Sequence, residues 1–292
     1  MKQLLILSGK GGTGKTTIAS ALIRLSNAKA YADCDVDAPN LHLIAGQNSV
    51  PANKDYYGLP KAQINPVLCN QCDACRQHCR FDAISAEGGY TVDPFACEGC
   101  GVCELVCPAQ AVSLNPAVAG GLMLYANEET VFSTAQLKMG SGNSGLLVTE
   151  VKKQMTAAVA PDIKLAIIDG SPGIGCPVIA SLSGVDMLLI VTEPSVSGIS
   201  DMERIVKTAA KFGTKVVVCV NKHDTNPENT KEIETFCKEQ ELPFVGKVPF
   251  DEDVVKAVNS GRTITDINCK SGEAVKAIYH RIVKLLFDEG GE

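Results

Sequence analysis

The chain has 292 residues, with 27 Lys and Arg against 33 Asp and Glu for a formal charge of −6, and 45% of its residues are hydrophobic. This length and apolar content suit one large α/β domain with a small insert and exclude a disordered chain. The acidic balance, with no Lys/Arg-dense stretch, argues against nucleic acid as the main partner, and no apolar stretch approaches membrane-spanning length.

The N-terminus begins with the apolar run Leu4-Leu5-Ile6-Leu7, too short for a signal peptide, so a cytoplasmic location is expected. Next come Ser8-Gly9-Lys10-Gly11-Gly12-Thr13-Gly14-Lys15-Thr16-Thr17 and the periodic residues Ile18, Ala19, Ala21, Leu22 and Leu25. A strand, a glycine loop and a helix in that order make the pattern G-x-x-x-x-G-K-[ST] at 9–16 a phosphate cradle. Its glycines let backbone N–H groups from Gly9 through Thr17 close around phosphates. Lys15 can then reach the β- and γ-oxygens, and the Thr16 hydroxyl can ligate Mg²⁺.

The second lysine, Lys10, completes the sequence KGGTGKTT, which resembles the deviant Walker A of the MinD, Mrp and nitrogenase-iron-protein group of P-loop ATPases. The resemblance implies ATP as substrate and a nucleotide-dependent homodimer in which Lys10 crosses to the other subunit's nucleotide. Ala30-Tyr31-Ala32-Asp33-Cys34-Asp35 then ends a short apolar strand in two acids, and Asp37-Ala38-Pro39-Asn40-Leu41 is similar to that family's switch I. By resemblance Asp35 orients the attacking water, making Lys10, Lys15 and Asp35 the catalytic set, while Asp33 supports the metal site. Carboxylates at a strand's C-terminal edge suit both tasks.

Eight of the 13 cysteines fall in two runs of equal spacing: Cys69, Cys72, Cys75, Cys79, then Cys97, Cys100, Cys103, Cys107. The second run, followed by Pro108, is the C-x2-C-x2-C-x3-C-P sequence of bacterial ferredoxins, in which the fourth cysteine binds the other cluster. By that rule Cys69, Cys72, Cys75 and Cys107 hold one [4Fe-4S] cluster, and Cys97, Cys100, Cys103 and Cys79 hold a second. Zinc is an alternative for four cysteines, although it is usually taken by two well-separated C-x2-C pairs, and disulfides are disfavoured in the cytosol.

Shifting the chain by 28 residues lays Asn65-Pro66-Val67 on Asp93-Pro94-Phe95, each cysteine of one run on the other, and Ala83-Ile84-Ser85 on Ala111-Val112-Ser113. This duplication resembles the two-cluster bacterial ferredoxin family, with Arg80 standing where the second run has Pro108. An arginine beside a cluster can raise its potential or meet a partner's carboxylate; a solvated arginine is the plainer alternative. Pro51, Pro60 and Pro66 lead in, and Pro116, Gly120 and Gly121 lead out. The expected domains are therefore a discontinuous ATPase domain, 1–59 and 116–292, and an inserted ferredoxin domain, 60–115. The expected fold is α/β: a mostly parallel P-loop NTPase sheet flanked by helices, with a small α+β ferredoxin-like insert just after switch I.

After the insert, 122–125 reads as strand and 144–155 as helix. Leu165-Ala166-Ile167-Ile168-Asp169 has the form of a Walker B strand, so Asp169 would hold the Mg²⁺ water shell, with 170–175 as switch II. Cys176 follows that switch much as the nitrogenase iron protein places a cluster ligand, which leaves open a bridging third cluster. Cys34, Cys219, Cys237 and Cys269 lack partners at ligand spacing and read as small core residues.

Two further apolar strands lead to Thr192-Glu193-Pro194-Ser195 and to Asn221-Lys222-His223-Asp224. The tetrapeptide matches the N-K-x-D pattern by which GTPases read guanine, whereas in MinD-like ATPases an asparagine at this strand end contacts adenine. ATP, with Asn221 at the base, is the preferred reading and GTP the alternative. The segment 243–253 resembles the family's last strand and base-side loop. Val275, Ile278, Tyr279, Ile282, Val283, Leu285 and Leu286 have helical spacing, and the acidic Asp288, Glu289 and Glu292 that follow would be repelled by anionic lipid. A core helix rather than a membrane anchor is expected.

Together these features point to an ATP-hydrolysing, dimerising iron–sulfur protein. It would couple nucleotide state to electron transfer toward, or cofactor maturation of, a redox or metalloprotein partner. The alternative is a MinD-like positioning or regulatory ATPase whose clusters sense redox state.

Overall fold

The computed structural model describes residues 1–44 and 50–287. In chain order the first elements are β1 (Lys2–Leu7), α1 (Lys15–Ser26), β2 (Ala30–Asp33), α2 (Leu41–Ile44) and β3 (Ala52–Tyr57). A segment of short elements follows: β4 (Lys61–Ile64), α3 (Ala74–Gln77), β5 (Ile84–Ser85), β6 (Thr91–Val92), α4 (Val102–Leu105) and β7 (Val112–Asn115). The larger unit resumes with β8 (Val118–Ala126), β9 (Val131–Leu137), α5 (Ser144–Ala158), β10 (Leu165–Asp169), α6 (Cys176–Leu182) and β11 (Met187–Thr192). It ends with α7 (Val196–Ala210), β12 (Lys215–Asn221), α8 (Pro227–Glu239), β13 (Phe244–Val248), α9 (Glu252–Asn259) and α10 (Lys270–Phe287).

Nine strands form one sheet in the order β13-β12-β11-β1-β10-β2-β9-β8-β3. From β13 to β9 every pairing is parallel, and β8 and β3 add antiparallel at one edge. The central strands are apolar throughout because both faces are covered. Leu5, Leu7, Ala166, Ile168, Leu188 and Ile190 pack under α5, α6, α7 and α8. The alternate residues Leu4, Ile6, Ile167, Met187 and Leu189 pack under α1 and α10. Val275, Ile278, Ile282 and Leu286 of α10 are buried in that second layer, so this helix packs on the core as its spacing predicts. The acidic residues Asp288, Glu289 and Glu292 lie outside the described residues.

Two strands of this sheet, β3 and β9, escaped the periodicity argument. β3 pairs with β8 from Ala52↔Leu124 to Tyr57↔Val118 with Tyr56 as its one buried side chain, because an edge strand can present polar residues to solvent.

The segment 61–115 pairs separately: β4 with β7 and β5 with β6, both antiparallel. Its halves are related by the same 28-residue shift as the sequence. The pair Ile64↔Val112 becomes Val92↔Ile84, and the bonds Asn65 N to Ala111 O and Asp93 N to Ala83 O are both 2.8 Å. The left-handed residues repeat too: Gln71 with Gly99, Asp73 with Gly101, Asp82 with Gln110.

Candidate functional site

The C-terminal ends of β1, β2, β10, β11 and β12 lie along one edge of the sheet, where ligands of open α/β sheets bind. The loop after β1 turns through left-handed Gly12 and Gly14 into α1. At Gly14 a β-carbon would collide with the Asn221 amide, whose Nδ2 donates to the Thr13 carbonyl at 2.7 Å, so this close approach requires glycine.

Lys15 enters the interior, where its Nζ stands 2.5 Å from Oδ1 of the fully buried Asp169. The Thr16 hydroxyl donates to the other Asp169 oxygen at 2.6 Å. Lys15 and Thr16 of the loop after β1 thus meet Asp169 at the end of β10. Thr13 Oγ1 is buried without a hydrogen-bond partner, as a phosphate-facing hydroxyl would be in a ligand-free cradle. Together with the Lys15, Thr16 and Asp169 donor set, it fits a Mg²⁺-bound phosphate.

Asp33 is fully buried, and its carboxylate accepts the N–H groups of Asp35 at 3.0 Å and of Asn40 and Leu41 at 2.9 Å. It therefore staples the 35–41 loop. Burial, and next the charge of Asp169, push the Asp33 carboxyl up to about 7 against those hydrogen bonds and Lys15. Burial also raises Asp35, with Lys15 opposing.

Lys10 lies on the rim, its Nζ 2.5 Å from Glu193 Oε1 and 3.3 Å from Ser195 Oγ. Glu193 also takes Lys222 at 3.4 Å, and Lys222 donates to the Gly12 carbonyl at 3.0 Å. Burial raises the Glu193 carboxyl, but the two lysines outweigh it and hold it below the usual carboxylate range. No role was assigned to Glu193 from sequence, although it ends a buried strand in an acid just as Asp169 does.

Beside the loop a cavity of about 170 Å³ is lined by Gly12, Gly14, Ile18, Asn221, Pro249, Phe250 and Val254, among others. Asp224 does not line it; its carboxylate accepts the Phe250 N–H at 2.7 Å.

The segment 61–115 carries two small cavities. One is lined by Cys69, Cys72, Cys75 and Cys107, the other by Cys79, Cys97, Cys100 and Cys103. Each group of four is the set that the crossed ferredoxin rule assembles. Backbone N–H groups point at thiols in both: Ala111 N to Cys107 Sγ at 3.2 Å and Ala62 N to Cys97 Sγ at 3.5 Å. Among the described residues, no three His, Cys, Asp or Glu side chains converge tightly enough to hold a single metal ion. Each cavity nonetheless gathers four thiols, the donor set of an iron–sulfur cluster.

Of the remaining cysteines, Cys34, Cys219, Cys237 and Cys269 are buried, as core residues should be. Cys176 is exposed at the start of α6. A β-carbon on Gly145, at the start of α5, would lie 3.1 Å from the Cys176 carbonyl. One turn earlier, a β-carbon on Gly140 would lie 3.0 Å from the Phe95 ring, on the loop before Cys97. The 140–145 stretch therefore touches the cysteine segment at one end and the start of α6, just after the 170–175 loop, at the other.

A family model described as the CobQ/CobB/MinD/ParA nucleotide binding domain matches residues 4–264. An uncharacterized protein of Methanocaldococcus jannaschii is 32% identical over 97% of both chains. A cytosolic Fe-S cluster assembly factor Nubp1 homolog of Drosophila willistoni is 22% identical over 96% of this chain and 81% of its own. Among solved structures, the septum site-determining protein MinD complexed with Mg-ADP from Pyrococcus horikoshii gives a TM-score of 0.58 at 16% identity, covering 100% of this chain and 99% of that one. That likeness concerns the fold. Among the described residues, no helix is long and apolar enough to cross a membrane.

Proposed function

We propose, for a chain that belongs to the CobQ/CobB/MinD/ParA nucleotide-binding family, an ATP-hydrolysing dimer whose nucleotide state is coupled to two [4Fe-4S] clusters. The observation that carries this reading is the presence in one chain of the Lys15–Thr16–Asp169 centre and two four-cysteine cavities.

The ion pairs around the loop explain how a nucleotide is accepted without stranding a buried charge. Lys15 and Asp169 neutralise each other across 2.5 Å; with Mg²⁺ and a nucleotide bound, Lys15 would serve the β- and γ-oxygens and Asp169 would hold the metal's water shell. Thr16 would supply a metal ligand, Asp33 supports the site by fixing the 35–41 loop, and Asp35 would orient the attacking water. Lys10, released from Glu193, reaches the nucleotide of a second copy, while Lys222 keeps Glu193 paired.

Adenine is favoured over guanine. Asn221 lines the base cavity, but the Asp224 carboxylate that would accept guanine's N–H groups is engaged with the Phe250 amide outside it.

Cys69, Cys72, Cys75 and Cys107 would hold one cluster and Cys97, Cys100, Cys103 and Cys79 the other, and bound clusters supply one-electron chemistry at low potential. The 60–115 domain rests on the 140–145 loop, through which movement of switch II reaches Phe95. The partner is a redox or metalloprotein that receives electrons. Maturation of a partner's metal site, in line with the cluster-assembly role in the Drosophila relative's name, is the reading to which failure of electron coupling would point.

The test is a potentiometric titration of anaerobically purified protein, followed by electron paramagnetic resonance without nucleotide, with MgADP and with a slowly hydrolysed MgATP analogue. Cluster midpoints that move with nucleotide in the native protein and stay fixed in Lys15→Ala are expected. Unmoved midpoints in the native protein, with ATP turnover intact, would overturn the coupling.

A further inference from the structure

The two cysteine cavities are copies of one design, so the places where the copies differ are informative. Lys61 is the sharpest difference. Its ammonium donates to the backbone carbonyl of Cys97, and the next residue, Ala62, donates its N–H to the Cys97 thiol. Among the described residues, no other Lys or Arg side chain donates a hydrogen bond to a cysteine of either run. The counterpart of Lys61 in the other half is Gly89, at φ +121°, which carries no charge and whose backbone resists a side chain. At the first cavity the nearest charges neutralise each other: Asp73 binds Arg76 at 2.6 Å and the Tyr90 hydroxyl at 2.8 Å. At the second, Glu104 turns to the Leu114 amide, Glu98 is exposed, facing Gly142, and Arg80 beside Cys79 is exposed to solvent, which screens it more than the half-buried Lys61.

The two cavities also differ in position. The loop of the second packs on the rest of the chain: Phe95 lies against Gly140, and Gly99 is pressed against Pro60 and Leu59. The matching residues of the first are Val67, 89% exposed against 72% for Phe95, and the exposed Gln71, and among the described residues neither has such a contact.

We propose that Lys61 sets the two clusters apart by raising the reduction potential of the one held by Cys97, Cys100, Cys103 and Cys79. An electron entering the pair then settles beside the nucleotide unit, and the cluster at Cys69, Cys72, Cys75 and Cys107 is the outer port. Each reduction takes one electron from a low-potential donor and adds one negative charge to a cluster, with no proton moved. A cation held at a ligand's carbonyl favours the reduced state by attraction, and half-burial of Lys61 limits screening by salt. Lys61 is a tuning residue that never becomes a ligand. This inference rests on the cluster reading above.

Iron and acid-labile sulfide analysis comes first: a chain purified anaerobically without iron overturns the cluster reading and this inference with it. With both clusters present, potentiometric titration of the native protein, Lys61→Met and Lys61→Arg follows. Serine at exposed Cys100 or Cys72, in separate samples, marks which resonance belongs to which site. The expected result is two distinct midpoints, the higher one at the Cys100 site. In Lys61→Met that midpoint falls by a three- to tenfold loss in the reduction equilibrium, about 28 to 59 mV, while the other stays put. Lys61→Arg restores it. Equal shifts at both sites, or none at the Cys100 site with clusters intact, would overturn the proposal.

Discussion

In the nine-stranded unit, Leu, Ile, Val and Ala alternate between two buried layers, and helices close both. In the segment 61–115 the buried cluster is Ala62, Cys75, Ala83, Ile84, Cys97 and Val112, with Ile64, Tyr90, Val92, Ala96, Leu114 and three more cysteines partly buried against it. The first unit excludes water with hydrocarbon; the second places thiols where a core would be. A segment this small with so little apolar burial does not support itself by the hydrophobic effect alone, whereas ligand bonds can supply what is missing.

If the cysteine sets hold the proposed clusters, removing the iron should therefore separate the two units, and this is the largest effect expected. After chelation under mild acid and return to neutral pH, amide hydrogen exchange in 61–115 should rise to nearly that of an unfolded chain. β1, β10 and β11 should keep their protection. Substituting Cys100 and Cys72 together by Ala should do the same without chelation. If the metal-free segment keeps its protection, its small core suffices and the contrast is wrong.

The same contrast explains what could be read from the chain. The phosphate loop, Asp169 and the cysteine sets were legible because each depends on local spacing or on a charged residue ending an apolar strand. β3 was not, since an edge strand needs no apolar alternation. Nor was the Lys10–Glu193–Lys222 chain, whose members lie far apart and meet only because β11 and β12 flank the loop after β1. Lys61 was invisible for a related reason. The 28-residue shift aligns it with Gly89, but its importance depends on β4 pairing with β7 and so reaching Cys97.

Within the hydrophobic unit the buried Asp33 is the next place to press. Its carboxyl holds a proton up to about pH 7, whereas in the unfolded chain it ionises near 3.8. Between those values the native state binds more protons than the unfolded one, so this group's contribution to stability is full below about pH 4 and is lost as pH rises through 7. The slope it adds is at most about 1.4 kcal/mol per pH unit. Urea midpoints of the nucleotide-free protein from pH 4 to 8 should fall across this window, and Asp33→Asn, which still accepts the Leu41 and Asn40 amides, should flatten the decline. An unchanged slope in the variant would place the pH dependence elsewhere. Mg²⁺ and nucleotide should also flatten it, because a metal beside Asp169 removes the charge that raises Asp33.

The smallest change tests whether the two units communicate. Gly140 has φ +75°, and a β-carbon there would stand 3.0 Å from the Phe95 ring. Gly140→Ala should cost about 1 kcal/mol in stability for the left-handed backbone, and it should push Phe95 away from the loop. Global unfolding would shift by only that amount, and ATP turnover should stay near the native rate, since Gly140 touches no residue of the phosphate loop. The difference in hydrogen exchange at 93–100 between nucleotide-free and nucleotide-bound protein should shrink, because the stretch from Gly140 to Gly145 is where that region meets Cys176 and the end of switch II. A nucleotide response in 93–100 as large as the native one would mean that the two units sense each other by another route, most directly through Pro60 and Leu59 against Gly99.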